Sequence, residues 1–162
     1  SLPPLALALL ALLALAPPLA LPTLALAPLA PLAPLAPPLP PTEEPAIRTI
    51  AMPADTNPSG DIFGGWLMAQ MDLAAGNLAG RVARGRAATI AVEGMVFHKP
   101  VKVGDEVTLY ATLLSTGRSS MKIHVQAWRR PRFVDDSMKV TDATFTFVAL
   151  DSEGKSRPLT AV

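Results

Sequence analysis

Between Ile62 and Gly80 the chain carries a single charged residue, Asp72, and that stretch limits the fold more than any other. Leu67, Met71, Ala74, Leu78 and Val82 recur three or four apart, the period of one helical face. The pattern predicts a helix from about residue 63 to 83, with Gly85 as its C-terminal stop. A surface helix carries charge on its outer side, whereas one that is apolar nearly all round is enclosed. Ala69, Ala74, Ala75, Gly76, Ala79 and Gly80 are small enough to let a sheet lie close against it.

The flanking sequence supplies that sheet. Residues 47–52 form a short strand ended by Pro53, and 54–60 is a loop by its turn residues. Residues 88–98 are rich in strand formers and stop at Lys99-Pro100. Over 106–115, Val107, Leu109, Ala111 and Leu113 point inward against Thr108, Tyr110 and Thr112, and Gly117-Arg118 marks a hairpin turn. Met121, Ile123, Val125 and Ala127 then alternate with Lys122, His124, Gln126 and Trp128. After a loop at 131–137, Ala143, Phe145, Phe147 and Ala149 alternate with Thr144, Thr146 and Val148, before a final turn at 151–154. One long enclosed helix followed by antiparallel strands is an α+β plan. A single sheet around one helix leaves an edge and a face bare, and extending the sheet with a second copy would cover both.

Composition divides the chain. Residues 1–42 hold no charged side chain and are almost wholly Leu, Ala and Pro, while the remainder carries all the charge. The apolar run 5–16 is shorter than the roughly 20 residues a bilayer demands, and six prolines from Pro22 to Pro38 break the rest of the segment. A secretory signal wants a basic start, which this segment lacks. It reads as a low-complexity extension outside the fold, with a degraded signal or an anchor as the alternatives. That leaves 43–162 as one domain with room for a modest core. A net charge of +1 argues against nucleic acid as a partner, and no membrane partner is expected. The absence of cysteine excludes disulfides, thiolate metal sites and a cysteine nucleophile, and fits a reducing, cytoplasmic setting.

Asp72 is the first candidate for chemistry. Met68, Ala69, Ala75 and Gly76 share its helical face, and an ionised carboxylate among such neighbours costs several kcal/mol unless it is paired. A general base or nucleophile in a cleft fits, as does an aspartate that accepts hydrogen bonds from a loop or points to water. Asp61, just ahead of the helix, suits an N-cap or a catalytic role. Gly64-Gly65 at the helix start would let a carbonyl oxygen approach unspent N–H groups, or would simply make a tight turn. Gly117, Arg118, Ser119 and Ser120 offer backbone N–H groups, hydroxyls and a guanidinium to phosphate or pantetheine, and an ordinary hairpin reads the same way. His98 and His124 lie far apart on strand positions and do not suggest a metal site.

Several of these stretches occur together in a known family. The run Asp55-Thr-Asn-Pro-Ser-Gly-Asp-Ile-Phe-Gly-Gly-Trp66 with Met68-Ala-Gln-Met-Asp72, then Val92 to Val101 with Gly104-Asp105, Gly117 to Ile123 and Thr141 to Val148 closely resembles the YciA-type acyl-CoA thioesterases of the hotdog superfamily. The resemblance covers residues 47–158. It implies a hotdog fold, a long central helix wrapped by an antiparallel sheet, with a homodimer as the minimal unit and three dimers gathered into a hexamer. It also implies two sites per dimer at the subunit interface. By resemblance Asp72 is the helical catalytic aspartate, Asp61 of the other chain assists it, and Gly65 donates to the thioester carbonyl. Acyl-CoA is expected against Asn57, Gly64 and the Gly117, Arg118, Ser119 and Ser120 turn, with no metal and no cofactor besides coenzyme A as substrate or product. The carboxyl of Asp72 is expected in a dry crevice beside the amino end of the helix. Two other functions stay open: a non-catalytic acyl-CoA-binding module and an acyl-thioester hydratase. Hydratase relatives usually need a histidine at the helix or its entry loop, and none occurs between Ile47 and Ala88.

Overall fold

The computed structural model describes residues 38–159, so the extension expected over 1–42 lies outside the described residues apart from 38–42. Strand β1 (Ile47–Ile50) leads through a 3-10 turn at Pro53–Asp55 to helix α1 (Gly64–Ala83). Strands β2 (Ala87–Glu93), β3 (Glu106–Thr116), β4 (Ser120–Arg130) and β5 (Met138–Ala149) come after it. All pairings are antiparallel, and the five strands lie in the order β1-β3-β4-β5-β2. The sheet curls around α1 as a hotdog fold.

The helix meets the sheet with Leu67, Met71, Ala74, Ala75, Ala79 and Ala83, all buried. The strands answer with Met121, Ile123, Val125, Ala127, Ala143, Phe145, Phe147 and Ala149. Each large side chain in this interface contributes about 1.5–3 kcal/mol by leaving water. A Cβ on Gly76 would sit 3.6 Å from the Phe147 ring, so the small residues of the helix do set how near the strands come. Below this core, Asp105, only 4% exposed, accepts the Arg129 guanidinium at 2.8 Å and the Lys102 N–H at 3.0 Å. Next to it in the chain, Glu106 takes a two-point hydrogen bond from Arg130 and raises the already high pKa of that guanidinium.

Several expectations need correction. The left-handed residue that ends α1 is Arg84 (φ 49°), not Gly85. Gly85 takes the next place and donates its N–H to the Gly80 carbonyl at 3.1 Å. A side chain in that backbone conformation costs about 1–2 kcal/mol relative to glycine. Strand β2 stops at Glu93, well short of His98, because Gly94 (φ 76°) turns the chain out of the ladder. His98 therefore lies in a loop, held by its N–H to the Val140 carbonyl at 2.8 Å. Leu113 on β3 is 37% exposed although it pairs with the buried Ile123, and the register shifts just beyond it, between Leu113 and Ser115. A bulge adds one residue and reverses the faces beyond it. Tyr110 and Thr108 are buried although the alternation puts them outside. Trp128 is buried as well, beside a register shift after Ala127, and its indole N–H donates to Gln126.

The largest departure concerns the helix itself. One side of α1 is uncovered at Leu73, which is 59% exposed, and Met68 is open on another side nearer the amino end. The neighbouring edge strand β2 shows Ile90 at 62% exposure, at a register shift that leaves it out of the ladder with β5. An apolar helix face and an apolar sheet edge thus stand open side by side.

Candidate active site

Asp72 is half-buried in the middle of α1, at the margin of that open face. Its Oδ1 accepts the Thr89 hydroxyl at 2.5 Å. Thr89 is positioned by β2, where it pairs with Phe147 of β5. A hydrogen bond to an ionised carboxylate is short and orienting, so one oxygen is fixed by the strand. The other, Oδ2, has no protein donor among the described residues. A cleft of about 520 Å³ adjoins the carboxyl, lined by Leu73, Gly76, Asn77, Ala87, Ala88, Thr89 and Phe147. A carboxylate held at one oxygen and available at the other, in a cleft of mixed polar and apolar lining, can take a proton or attack an electrophile.

The start of α1 is built differently. Its N-cap is Phe63, with no side-chain cap, and the Phe63 N–H is spent on the Asp55 carbonyl at 2.9 Å. Trp66 and Leu67 turn back to the Phe63 carbonyl at 2.9 and 3.4 Å. The N–H groups of Gly64 and Gly65 are left without an acceptor among the described residues. Such amides carry the positive end of the helix dipole. A Cβ on Gly65 would meet the exposed Phe63 ring, so the second glycine lets that ring lie over the helix start. A cleft of about 320 Å³ opens here, walled by Phe63, Gly64, Leu67, Phe97, His98 and Val140 among others.

Asp61 does not cap the helix; its carboxylate is paired with Lys102, and its backbone belongs to the preceding loop. That loop is closed by Asn57. The Asn57 Oδ1 accepts from the N–H groups of Ser59 at 2.9 Å and Asp61 at 3.2 Å, while its own N–H donates to the Asp61 carbonyl at 2.7 Å. The amide oxygen of Asn57 therefore shapes the approach to Gly64.

The Gly117, Arg118, Ser119 and Ser120 turn lies at the other end of the molecule, at the tip of the β3–β4 hairpin. The Gly117 N–H closes it on the Ser120 carbonyl at 2.8 Å, and a Cβ on Gly117 would come within 2.7 Å of the Ser120 hydroxyl. Met121 pairs with Phe147 and Phe147 with Thr89. Two strand spacings, about 10 Å, thus separate this turn from the strand that holds Asp72.

One protomer brings together Asp72, Thr89 and the hairpin turn on one side, and Asn57, Asp61, Gly64 and Gly65 on the other. It does not unite the two sets. Asp72 stands at mid-helix and not beside its amino end, as expected from the sequence. It lies seven residues beyond Gly65, about 10 Å along the axis at 1.5 Å per residue. A reacting carbonyl must lie about 3 Å from both attacking group and donor, so these two residues of one chain cannot serve the same carbonyl. The sequence reading also missed Thr89, Lys102 and the aromatic wall at Phe97. Each acts through a contact far away in the chain, and no local pattern marks it. His124 lies apart from both sets, with Nε2 3.3 Å from Asp142.

The chain is similar to proteins of one family. Residues 59–132 match the family model described as the thioesterase superfamily. An uncharacterised acyl-CoA thioester hydrolase of Zymomonas mobilis is 54% identical over 110 residues, 68% of this chain and 74% of that protein. The acyl-CoA thioester hydrolase YciA of Escherichia coli is 48% identical over 116 residues, 70% of this chain and 88% of the relative. The crystal structure of a hexameric thioesterase from Yersinia pestis is similar with a TM-score of 0.72 at 48% identity, over 75% of this chain and 99% of that one.

Proposed function

This chain belongs to the YciA-type acyl-CoA thioesterases of the hotdog thioesterase superfamily, and from that premise we propose that it hydrolyses acyl-CoA at a site two protomers build together. The substrate class rests on relatives that are acyl-CoA thioester hydrolases. The observation that carries the two-protomer site is the separation of about 10 Å between Asp72 and Gly65 along one helix. A second copy laid along β2 and the bare face of α1 would bring Gly65 of the partner subunit opposite Asp72. It would also cover Leu73 and Ile90.

In this arrangement the thioester carbonyl accepts the N–H of Gly65 of the partner subunit, assisted by the amide of Gly64 of the partner subunit. Asp72 takes a proton from water as the water oxygen attacks the carbonyl carbon. Collapse of the tetrahedral adduct breaks the C–S bond, releasing the carboxylic acid and coenzyme A, whose thiolate recovers the proton. Direct attack by Asp72, giving a mixed anhydride that water resolves, is the alternative route. Thr89 keeps the attacking carboxyl in place. Asp61 of the partner subunit orients the water or the nucleophile, while Asn57 of the partner subunit and the Gly117–Ser120 turn contact the coenzyme. The folded unit is residues 43–162, the assembly is a trimer of dimers, and the enzyme works in the cytoplasm.

Mixing two inactive variants tests the shared site. Asp72→Asn and Gly65→Val chains, refolded together, form mixed dimers in which one of two sites has both residues intact. Thiol release should return to about a quarter of the parent rate. Recovery to none, with mixed dimers verified by mass, would mean that both residues act within one chain.

A further inference from the structure

The helix entry, where the amides of Gly64 and Gly65 lie open, is held by a chain of hydrogen bonds that ends on the sheet. Ile62, immediately before the cap residue Phe63, donates its N–H to the Val101 carbonyl at 3.3 Å. Val101 leads into the turn 102–105, which the Asp105 N–H closes on the Lys102 carbonyl at 3.1 Å, with Gly104 in the left-handed region at φ 88°. The Asp105 side chain clamps that turn a second time. Its Oδ2 accepts the Lys102 N–H at 3.0 Å and the Arg129 guanidinium of β4 at 2.8 Å. Ala51, just past β1, adds two backbone bonds, donating to the Asp105 carbonyl at 3.0 Å and accepting the Gly104 N–H at 2.8 Å. On the surface side the Lys102 ammonium reaches Asp61, so the turn also holds the residue before Ile62. Ile62, Val101 and Asp105 are all buried. The Nε of Arg129 is buried too, with no partner among the described residues. Stability alone would favour an apolar pair over an ion pair that leaves an N–H unsatisfied.

We propose that Asp105 is a positioning residue for thioester hydrolysis. Anchored by Arg129, it fixes the turn 102–105 and, through Val101 and Ile62, the entry of α1, and so aims the amides of Gly64 and Gly65 at the thioester oxygen. The inference rests on the thioesterase reading. Asp105 acts through these bonds and not on the substrate. The need for such a hold is one of tolerance: a misplacement of about 1 Å in a reacting geometry lowers the rate about a hundredfold. The first turn of α1 does little to fix itself, since Phe63 gives it no side-chain cap and two successive glycines leave its backbone permissive. Its direction is therefore set from outside, by the partners of Phe63 and Ile62. The Phe63 N–H goes to Asp55, in a 3-10 turn with no buried residue. The Ile62 N–H joins the buried route to β4, which ends on a charge-assisted pair, short and directional.

The test sets Asp105→Asn beside Gly104→Ala, which keeps both charged side chains and strains only the turn, because a Cβ there meets nothing closer than Arg132 at 3.6 Å. Arg157→Ala, weakened at the far end of the helix, is the control for lost stability. Well below the melting temperature, kcat of Asp105→Asn should fall about ten- to a hundredfold, with KM close to the parent's. Gly104→Ala should move kcat the same way by about three- to tenfold. Affinity for a trifluoromethyl ketone thioether of coenzyme A, whose hydrated carbonyl copies the tetrahedral adduct, should fall in step with kcat. Affinity for S-hexyl coenzyme A, which has no carbonyl, should stay at the parent value. Hydrogen exchange at Ile62 and Phe63 should quicken in both variants, with β4 and β5 as protected as in the parent. An unchanged kcat in Asp105→Asn overturns the proposal, as does an equal loss of affinity for the two coenzyme A ligands or a fall in kcat that Arg157→Ala reproduces. If Asp105→Asn does not fold, the same readouts on Gly104→Ala decide. A parent protein that releases no thiol from any acyl-CoA refutes the thioesterase reading instead. The hold of Asp105 on the helix entry is then judged by exchange, where quickening confined to that entry supports it and unchanged exchange overturns it.

Discussion

The two ends of helix α1 are finished in opposite ways. At the start, the amides of Gly64 and Gly65 have no acceptor among the described residues and no side chain caps them, although a cap is ordinarily worth about 0.5–2 kcal/mol. At the stop, the carbonyls of Gly80, Arg81 and Ala83 are all taken, by Gly85, Arg84 and Arg157. Folding alone would favour satisfying both. The end left unsatisfied is the one whose partial charge suits an anionic oxygen, and the sealed end is the one where cations cluster. The difference teaches that stability is withheld at the end where the proposed site needs an open donor, and kept at the end where it does not.

The sharpest test of that contrast is the carboxylate between the two ends. Asp72→Asn keeps a hydrogen-bond acceptor for Thr89 but removes the base, and kcat should fall about a hundredfold to ten-thousandfold, measured as free thiol with the oligomer intact. If turnover persists, the open amides act without this carboxyl and the catalytic assignment fails. Closing the open end comes next. Gly65→Ala pushes a methyl group against the Phe63 ring and crowds the approach to the amides. It should lower kcat about ten- to a hundredfold with little change in melting temperature. Unsealing the other end gives the smallest catalytic effect. Arg157→Ala leaves the Ala83 carbonyl unpaired, which should cost about 1–3 kcal/mol, read in urea unfolding, while turnover per folded molecule at saturating substrate stays near the parent's. A loss of turnover there, with stability unchanged, would erase the distinction between the two ends.

Much of the architecture is legible in the residues themselves. The strands β4 and β5 keep their alternation closely, since Met121 to Ala127 and Ala143 to Ala149 face a continuous core and any slip would expose them. The helix is legible within a residue, because its apolar period runs through five turns. The features that escaped depend on other things than local pattern. Strand β2 is shortened by the conformation of Gly94, which a sequence shows only as a glycine among strand formers. Leu113 shares the face of its partner Ile123 yet lies partly open near the strand end, and Trp128 shares the outer face of Gln126 yet is buried there. An enclosed helix is the proper expectation for Leu73 and Met68, but in one protomer nothing among the described residues covers them. At the site, Asp72 stood out as a lone charge, whereas Thr89 is one threonine among many until β2 is laid beside α1. Asp61 looked like a cap by its position; its pairing with Lys102 arises only when the loop after β2 returns.

Chain order and sheet order disagree at β2. It is made directly after α1, yet its only neighbour among the described strands is β5, the last to be made. The hairpins β3–β4 and β4–β5 can zip locally, while β2 must wait for them and then close a long loop, an entropic cost that slows assembly. The bond from Thr89 to Asp72 therefore matures after most of the sheet exists. On heating or dilution the same strand is positioned to detach ahead of the meander, so the molecule would fall silent as a catalyst while most of its β-structure still stands.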